Sequence, residues 1–165
     1  MKAFYDGIRR DLSKTLLQSQ VEGINNIVKE YEARKIGDKR ILAYVLGTVW
    51  HETNKTMQPV KEMGGEAYLR KKTYYPYYGR DLVQTTWKAN YEKVKLFSGI
   101  DVVSNPELIA DPKLAVRVAF QFMLKGWYTG KKLGDYFTPV KADWENARRI
   151  INGTDKAELV AGYAK

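Results

Sequence analysis

Glu52 and Glu62, ten positions apart, are the acidic pair in this sequence best spaced for acid–base chemistry. Two carboxyl groups hydrolyse a glycosidic bond when one protonates the leaving oxygen and the other activates water. Glu52 closes the apolar run Arg40–Glu52. On a helical wheel with Val45 at zero, Ile41 falls at about −40°, Val49 at about 40°, Leu42 at about 60°, Leu46 at about 100° and Glu52 at about −20°. Glu52 therefore lies inside the apolar stripe. A carboxyl group there must be paired or protonated, because an isolated buried charge is costly. Burial also favours the protonated form that a general acid needs near neutral pH. The alternative is a helix that ends near His51 and frees Glu52 to reach solvent or a lysine.

Candidates for a second carboxylate follow in the next stretch. Glu62 and Glu66 flank Gly64-Gly65, and a glycine-bounded loop can carry an acidic side chain over a cleft. Asp81 is a third candidate. Each of the three also reads as an ordinary solvated loop charge. The run Tyr74-Tyr75-Pro76-Tyr77-Tyr78, with Trp87 and Tyr91 beyond it, offers flat rings that stack on sugar faces or nucleobases. At least two of those four tyrosines are expected to plug the core edge instead.

Other chemistries are excluded. The chain has no cysteine and a single histidine, His51. That removes disulfides, thiolate nucleophiles, cysteine-ligated metals and a zinc site built on two histidines. A nucleophilic triad would have to run through His51. This residue lies about 120° from Val45, off the apolar stripe, where a hydrogen bond fixing Glu52 or the cleft wall is the expected role. No metal or cofactor is called for.

The elements that must position these residues read as mostly helical. Leu16, Leu17, Val21, Ile24, Ile27, Val28 and Tyr31 recur at helical spacing, which predicts a helix over 13–34. Ser13 or Ser19 would cap it, and Gly37 with Asp38 would end it. Arg40–Glu52 is a second, central helix. Residues 53–80 lack a period and read as irregular, with at most a short hairpin. Helices are predicted over 82–97, from Pro112 to about Gly126, over 141–151, and after Asn152-Gly153. Strand patterning is nearly absent. At 165 residues, with 44% hydrophobic and 28% charged residues, the chain is long enough for one globular domain and unlike a disordered one.

The net charge of +9 attracts polyanions, and nine Lys/Arg against four Asp/Glu fall between Lys55 and Lys95. An anionic cell envelope is a natural partner. No helix-turn-helix, RNA-binding or zinc pattern points to nucleic acid. The start, Met-Lys-Ala-Phe-Tyr-Asp-Gly, lacks the apolar core of a secretion signal. Ile41–Trp50, the longest apolar stretch, falls short of the roughly 20 residues that span a bilayer. The expectation is a product kept in the cytoplasm until another agent releases it.

Three segments then carry a resemblance. His51-Glu52-Thr53, Tyr78-Gly79-Arg80-Asp81-Leu82-Val83-Gln84-Thr85-Thr86-Trp87-Lys88-Ala89-Asn90-Tyr91 and Arg149-Ile150-Ile151-Asn152-Gly153 occur in the order of glycoside hydrolase family 19. The chain resembles, more narrowly, its chitinase-like endolysin branch from phages and prophages. Leu17–Ile24 and Ala157–Tyr163 are also similar to that branch. The resemblance implies a mainly α, single-domain, lysozyme-like fold over residues 1–165 with a cleft and no separate wall-binding domain. It implies Glu52 as general acid, Glu62 as the base, with Glu66 as the alternative, and Thr86 as a holder of the attacking water. His51, Tyr78, Gln84, Asn90 and Asn152 would line the substrate site. Family members invert the anomeric centre, which needs carboxyl groups roughly 6.5–9.5 Å apart. Asp81 departs from the family's usual glycine, which would strain the chain if φ were positive there. Thr85 replaces the usual leucine, which is expected to loosen local packing.

The implied function is an endolysin, a lysozyme-type hydrolase acting as a monomer on bacterial peptidoglycan. It would wait in the host cytoplasm until released to the cell wall. The nearest alternative is a chitinase acting on N-acetylglucosamine polymers. A reading of a different class is a non-catalytic basic module that binds envelope polymer or nucleic acid.

Overall fold

The computed structural model describes residues 2–165. Among the described residues eight α-helices run in chain order: α1 Lys2–Asp11, α2 Gln18–Ala33, α3 Lys39–Glu52, α4 Gly65–Leu69, α5 Lys88–Ser98, α6 Pro112–Lys125, α7 Leu133–Tyr136 and α8 Ala157–Ala164. Short 3-10 turns cover Pro106–Ala110 and Asn146–Ile150. The one sheet among the described residues is a hairpin of β1 Phe137–Thr138 and β2 Lys141–Ala142, antiparallel, with Phe137 opposite Ala142. The mainly helical architecture expected from the sequence is therefore present.

The fold is organised by α3 and α6. Asp38 caps α3 by accepting from the Arg40 amide at 2.9 Å. From there Ile41, Tyr44, Val45, Leu46, Gly47, Thr48, Val49 and Trp50 are all buried. Pro112 opens α6 behind an Asp111 cap that accepts from Leu114 N at 2.8 Å, and Gly126 closes it at φ 72°. Two faces of α6 serve two apolar clusters. Ala115, Val116, Ala119, Phe120 and Met123 join α2 and α3 in the larger cluster. Leu114, Val118 and Phe122 pack with Tyr91 and Val94 of α5 and with Ile109 in the smaller one. A helix buried on both faces reads as apolar around most of its circumference.

Several predicted boundaries need correction. The helix predicted over 13–34 begins only at Gln18, and α1 stands before it as a separate element. Neither Ser13 nor Ser19 caps α2; the Gln20 side chain accepts from Leu17 N at 2.7 Å instead. Residues 82–87 are not helical, because Gln84 (φ 57°) and Trp87 (φ 79°) are held in left-handed backbone. The 141–151 helix is replaced by β2 and a 3-10 turn. The hairpin expected within 53–80 lies at 137–142 instead.

Gly23, inside α2, has the tightest packing of any glycine in the fold. A Cβ there would stand 2.0 Å from the Met57 carbonyl oxygen. That oxygen belongs to the turn that follows Glu52, so α2 is a backbone-to-backbone buttress for the chain leaving α3. Gly23→Ala is expected to lower stability by about 2 kcal/mol or more in urea unfolding, since neither backbone can yield cheaply.

Candidate active site

Glu52 is the last residue of α3, with a side chain 18% exposed. It neither lies unpaired in the apolar stripe nor escapes to solvent. Its Oε1 accepts a short hydrogen bond from Nη1 of Arg148, which is 4% exposed. Arg148 Nε also donates to the Asp155 carbonyl at 2.9 Å, tying the acid to the turn before α8. Past Glu52 the chain reverses. Thr53 Oγ1 donates to Val49 O at 2.7 Å and accepts from Met57 N at 3.0 Å, while Asn54, Lys55 and Met57 take positive φ. The Gln20 amide bonds Lys55 O at 2.8 Å, so α2 grips this turn from outside.

The turn delivers Glu62 on an extended segment paired with residues 79–81. Glu62 N donates to Gly79 O at 2.8 Å and Val60 N to Asp81 O at 3.2 Å. The Glu62 carboxylate is half-buried and held at both oxygens: Tyr74 hydroxyl donates at 2.6 Å and Gly79 N at 3.3 Å. The carboxylate in turn pushes the Tyr74 hydroxyl up to about 12, so tyrosine remains the donor throughout the working range. Glu66 differs. It is exposed, shared between Tyr75 at 2.9 Å and Arg70 at 3.2 Å, and those partners hold it below the ordinary carboxylate range. Of the two, Glu62 is the more buried and is held at both oxygens.

The segment 82–87 closes beside Glu62. Gln84 Nε2 donates to Val60 O at 2.5 Å, two residues before Glu62. Gly79 leaves room for that side chain, since a Cβ there would meet Gln84 Oε1 at 2.5 Å. Thr86 Oγ1 donates to Gln84 O at 2.8 Å, and Asn90 Nδ2 to Thr86 O at 2.8 Å. Trp87 is 52% exposed and meets the Tyr74 ring edge-on at 5.3 Å. An exposed indole beside a held carboxylate is a flat apolar platform of the kind that packs on a sugar face.

This arrangement can be set beside proteins of known structure. No family model matches the chain. Chitinase 11 of Oryza sativa subsp. japonica is 33% identical over 116 residues, covering 54% of this chain and 44% of the relative. The chain spans less than half the length of the curated plant chitinases it matches. The family GH19, class IV chitinase from Zea mays superposes with a TM-score of 0.64 at 19% identity, covering 100% of this chain and 89% of that one. Chitinase C from Streptomyces griseus HUT6037 gives 0.61 at 21% identity, covering 94% and 70%. The fold is that of the GH19 chitinases.

Within the GH19 fold the residues singled out from sequence fall into three groups. Glu62, Gln84, Thr86 and Asn90 are joined through the bonds above. Tyr78 is buried and Arg80 lies over its ring at 3.4 Å. Arg80 also donates to Pro76 O and to Glu107, so this pair is architecture rather than contact surface. His51 makes no side-chain hydrogen bond among the described residues, contrary to expectation; its ring faces Tyr163 at 6.5 Å. Asn152 is exposed, and its side chain caps the adjacent Gly153 amide at 2.8 Å. Thr85 does not loosen packing: it is fully buried, with its hydroxyl 3.0 Å from that of Tyr128. Asp81 has no positive φ, so no strain follows from its replacing glycine, and it faces inward at 1% exposure. The apolar recess under α1, lined by Phe4, Ile8, Leu12, Leu46, Trp50 and Tyr163, contains neither carboxylate of the pair.

Sequence reasoning missed Arg148, which sits one residue before the Arg149–Gly153 motif. Removing one partner of a buried ion pair strands the other, at a cost of about 3 kcal/mol. Arg148→Met is expected to lose that much in chemical denaturation, and adding Glu52→Gln to recover most of it in a double-mutant cycle.

Proposed function

We propose that this chain is a glycoside hydrolase that cleaves N-acetylglucosamine-containing glycan by direct acid–base displacement. The observation that carries the reading is the placement of two differently held carboxyl groups on one backbone excursion: Glu52 against Arg148, and Glu62 against Tyr74. Glu52, in its protonated form, gives its proton to the glycosidic oxygen as the bond to the anomeric carbon breaks. Water attacks that carbon from the opposite face and loses a proton to Glu62. Arg148 then stabilises the carboxylate left on Glu52. Tyr74 and Gly79 fix the direction of the Glu62 lone pairs, and Thr86 lies beside the path of the water.

The GH19 fold and the plant chitinase relatives support chitin-type polymer as the substrate. The net charge of +9 supports a second reading, an endolysin acting on peptidoglycan. The peptide stems of peptidoglycan carry free carboxylates, so a basic protein is drawn to that polymer and not to neutral chitin. On this second reading the protein is held in the host cytoplasm and reaches the wall on lysis.

Release of new reducing ends from chitin oligomers and from purified peptidoglycan separates these readings. Glu52→Gln is expected to lower the rate on the true substrate on the order of 10³-fold. No release from either glycan would overturn the enzyme reading and leave a binding module, and equal release by wild type and Glu52→Gln would remove Glu52 as the acid. Raising salt through about 0.1–0.3 M should weaken action on peptidoglycan steeply while leaving chitin oligomers nearly unaffected. Flat peptidoglycan activity over that range would remove the electrostatic argument for the endolysin.

A further inference from the structure

Asp81 is used by none of the steps above, yet it is the one buried carboxyl group with an unpartnered oxygen among the described residues. Its Oδ1 accepts from Thr85 N at 2.9 Å and Val83 N at 3.2 Å. Its Oδ2 touches no donor and no water-exposed surface. We propose that Asp81 is a positioning residue whose neutral, protonated side chain latches the segment Leu82–Trp87 from inside and so sets Gln84, Thr86 and Trp87 beside Glu62. The proposal rests on the hydrolase reading for its effect on rate, while the state of the latch can be tested without it.

The geometry argues for the latch in two ways. Both donors to Oδ1 belong to the segment that departs from the predicted helix, and between them stands Gln84 at φ 57°. An acceptor spanning two amides from within replaces the helical bonds those amides would otherwise make. The latched segment then reaches Glu62 by two routes, through Gln84 on Val60 O and through Trp87 on Tyr74, whose hydroxyl holds the carboxylate. Loss of the latch would free both contacts together.

The surroundings argue for the neutral form. No cation pairs with either oxygen among the described residues. Arg80, the adjacent residue, points to Glu107, Pro76 O and the Tyr91 hydroxyl. The other groups facing Asp81 are Tyr91 of α5, the Thr85 hydroxyl, and Tyr128 after α6, with Glu52 beyond it. Tyr91 and Tyr128 are both pushed up by burial and stay uncharged. Burial likewise pushes the Asp81 carboxyl up, against the opposing pull of its bonds to Thr85 and Val83. An ionised carboxylate with nothing to solvate Oδ2 costs far more than an unpaired neutral hydroxyl there.

A test follows from linkage. An acid whose folded pKa lies above its unfolded value, about 3.9, makes folding less favourable as pH rises past that value. Asparagine keeps the Oδ1 acceptor and never ionises. The Tm of Asp81→Asn minus that of wild type should therefore grow more positive from pH 4 to pH 7, by roughly 2–4 °C. Asp81→Asn should keep kcat and extend activity to higher pH, while Asp81→Ala should lose on the order of 10²-fold in kcat. A Tm difference that becomes more negative as pH rises would show a charged Asp81 and overturn the proposal. So would full kcat in Asp81→Ala. If Glu52→Gln shows that no hydrolysis occurs, the Tm comparison still decides the protonation state.

Discussion

A carboxyl group at the C-terminal end of a buried helix is in an unfavourable place. The helix presents its unsatisfied carbonyls there, and their partial negative charge opposes a carboxylate. Glu52 ends α3, a helix whose middle, from Tyr44 to Trp50, is continuously buried, and is offset by one guanidinium, that of Arg148. Much of the architecture serves that meeting. The 3-10 turn Asn146–Ile150 carries the arginine inward, and its second bond to Asp155 O fixes where α8 begins. α8 packs along α3 where Gly47 lets Ala164 approach to contact distance. The pair is thus a structural tie, and on the proposed mechanism a chemical one; a buried ion pair is by itself weak evidence of stability.

The second carboxylate is placed by different means. Glu62 lies on no helix. Its position comes from a chain of short-range constraints: the Thr53 turn, the α2 buttress at Gly23, backbone pairing with Gly79, and the Tyr74 hydroxyl. Such a site is stiff because hydrogen bonds and close backbone packing hold its links, which is what loop-borne groups need to hold a fixed geometry. The aromatic run that looked like a stacking surface divides between these jobs. Tyr78 is core and Tyr77 packs edge-on against Tyr91, Tyr74 orients a carboxylate, and Trp87 supplies the exposed ring.

What the sequence made legible follows the same division. α3 and α6 were readable because apolar residues at helical spacing and local caps define them, and the wheel placed Glu52 on the buried stripe. The order of motifs pointed to the GH19 fold. The segment 82–87 was not readable as a loop, since its residues carry a helical pattern that is overridden by Asp81 from within and Val60 from outside. Arg148 was invisible because its partner lies 96 residues away and no local period reports such a pair. Thr85 and Asp81 looked like departures weakening a motif; in three dimensions both are buried and bonded. Tertiary hydrogen bonds, not propensity, decided each of these cases.

The central claim is that Glu52 and Glu62 act in one displacement with water between them. The anomer formed at the new reducing end tests it most directly. Proton NMR during the first minutes of hydrolysis of a β-linked N-acetylglucosamine oligomer, or of peptidoglycan, reads that anomer before it equilibrates. The account predicts the α-anomer first, by single inversion. Initial β-anomer, or no new reducing end from either glycan, would contradict it.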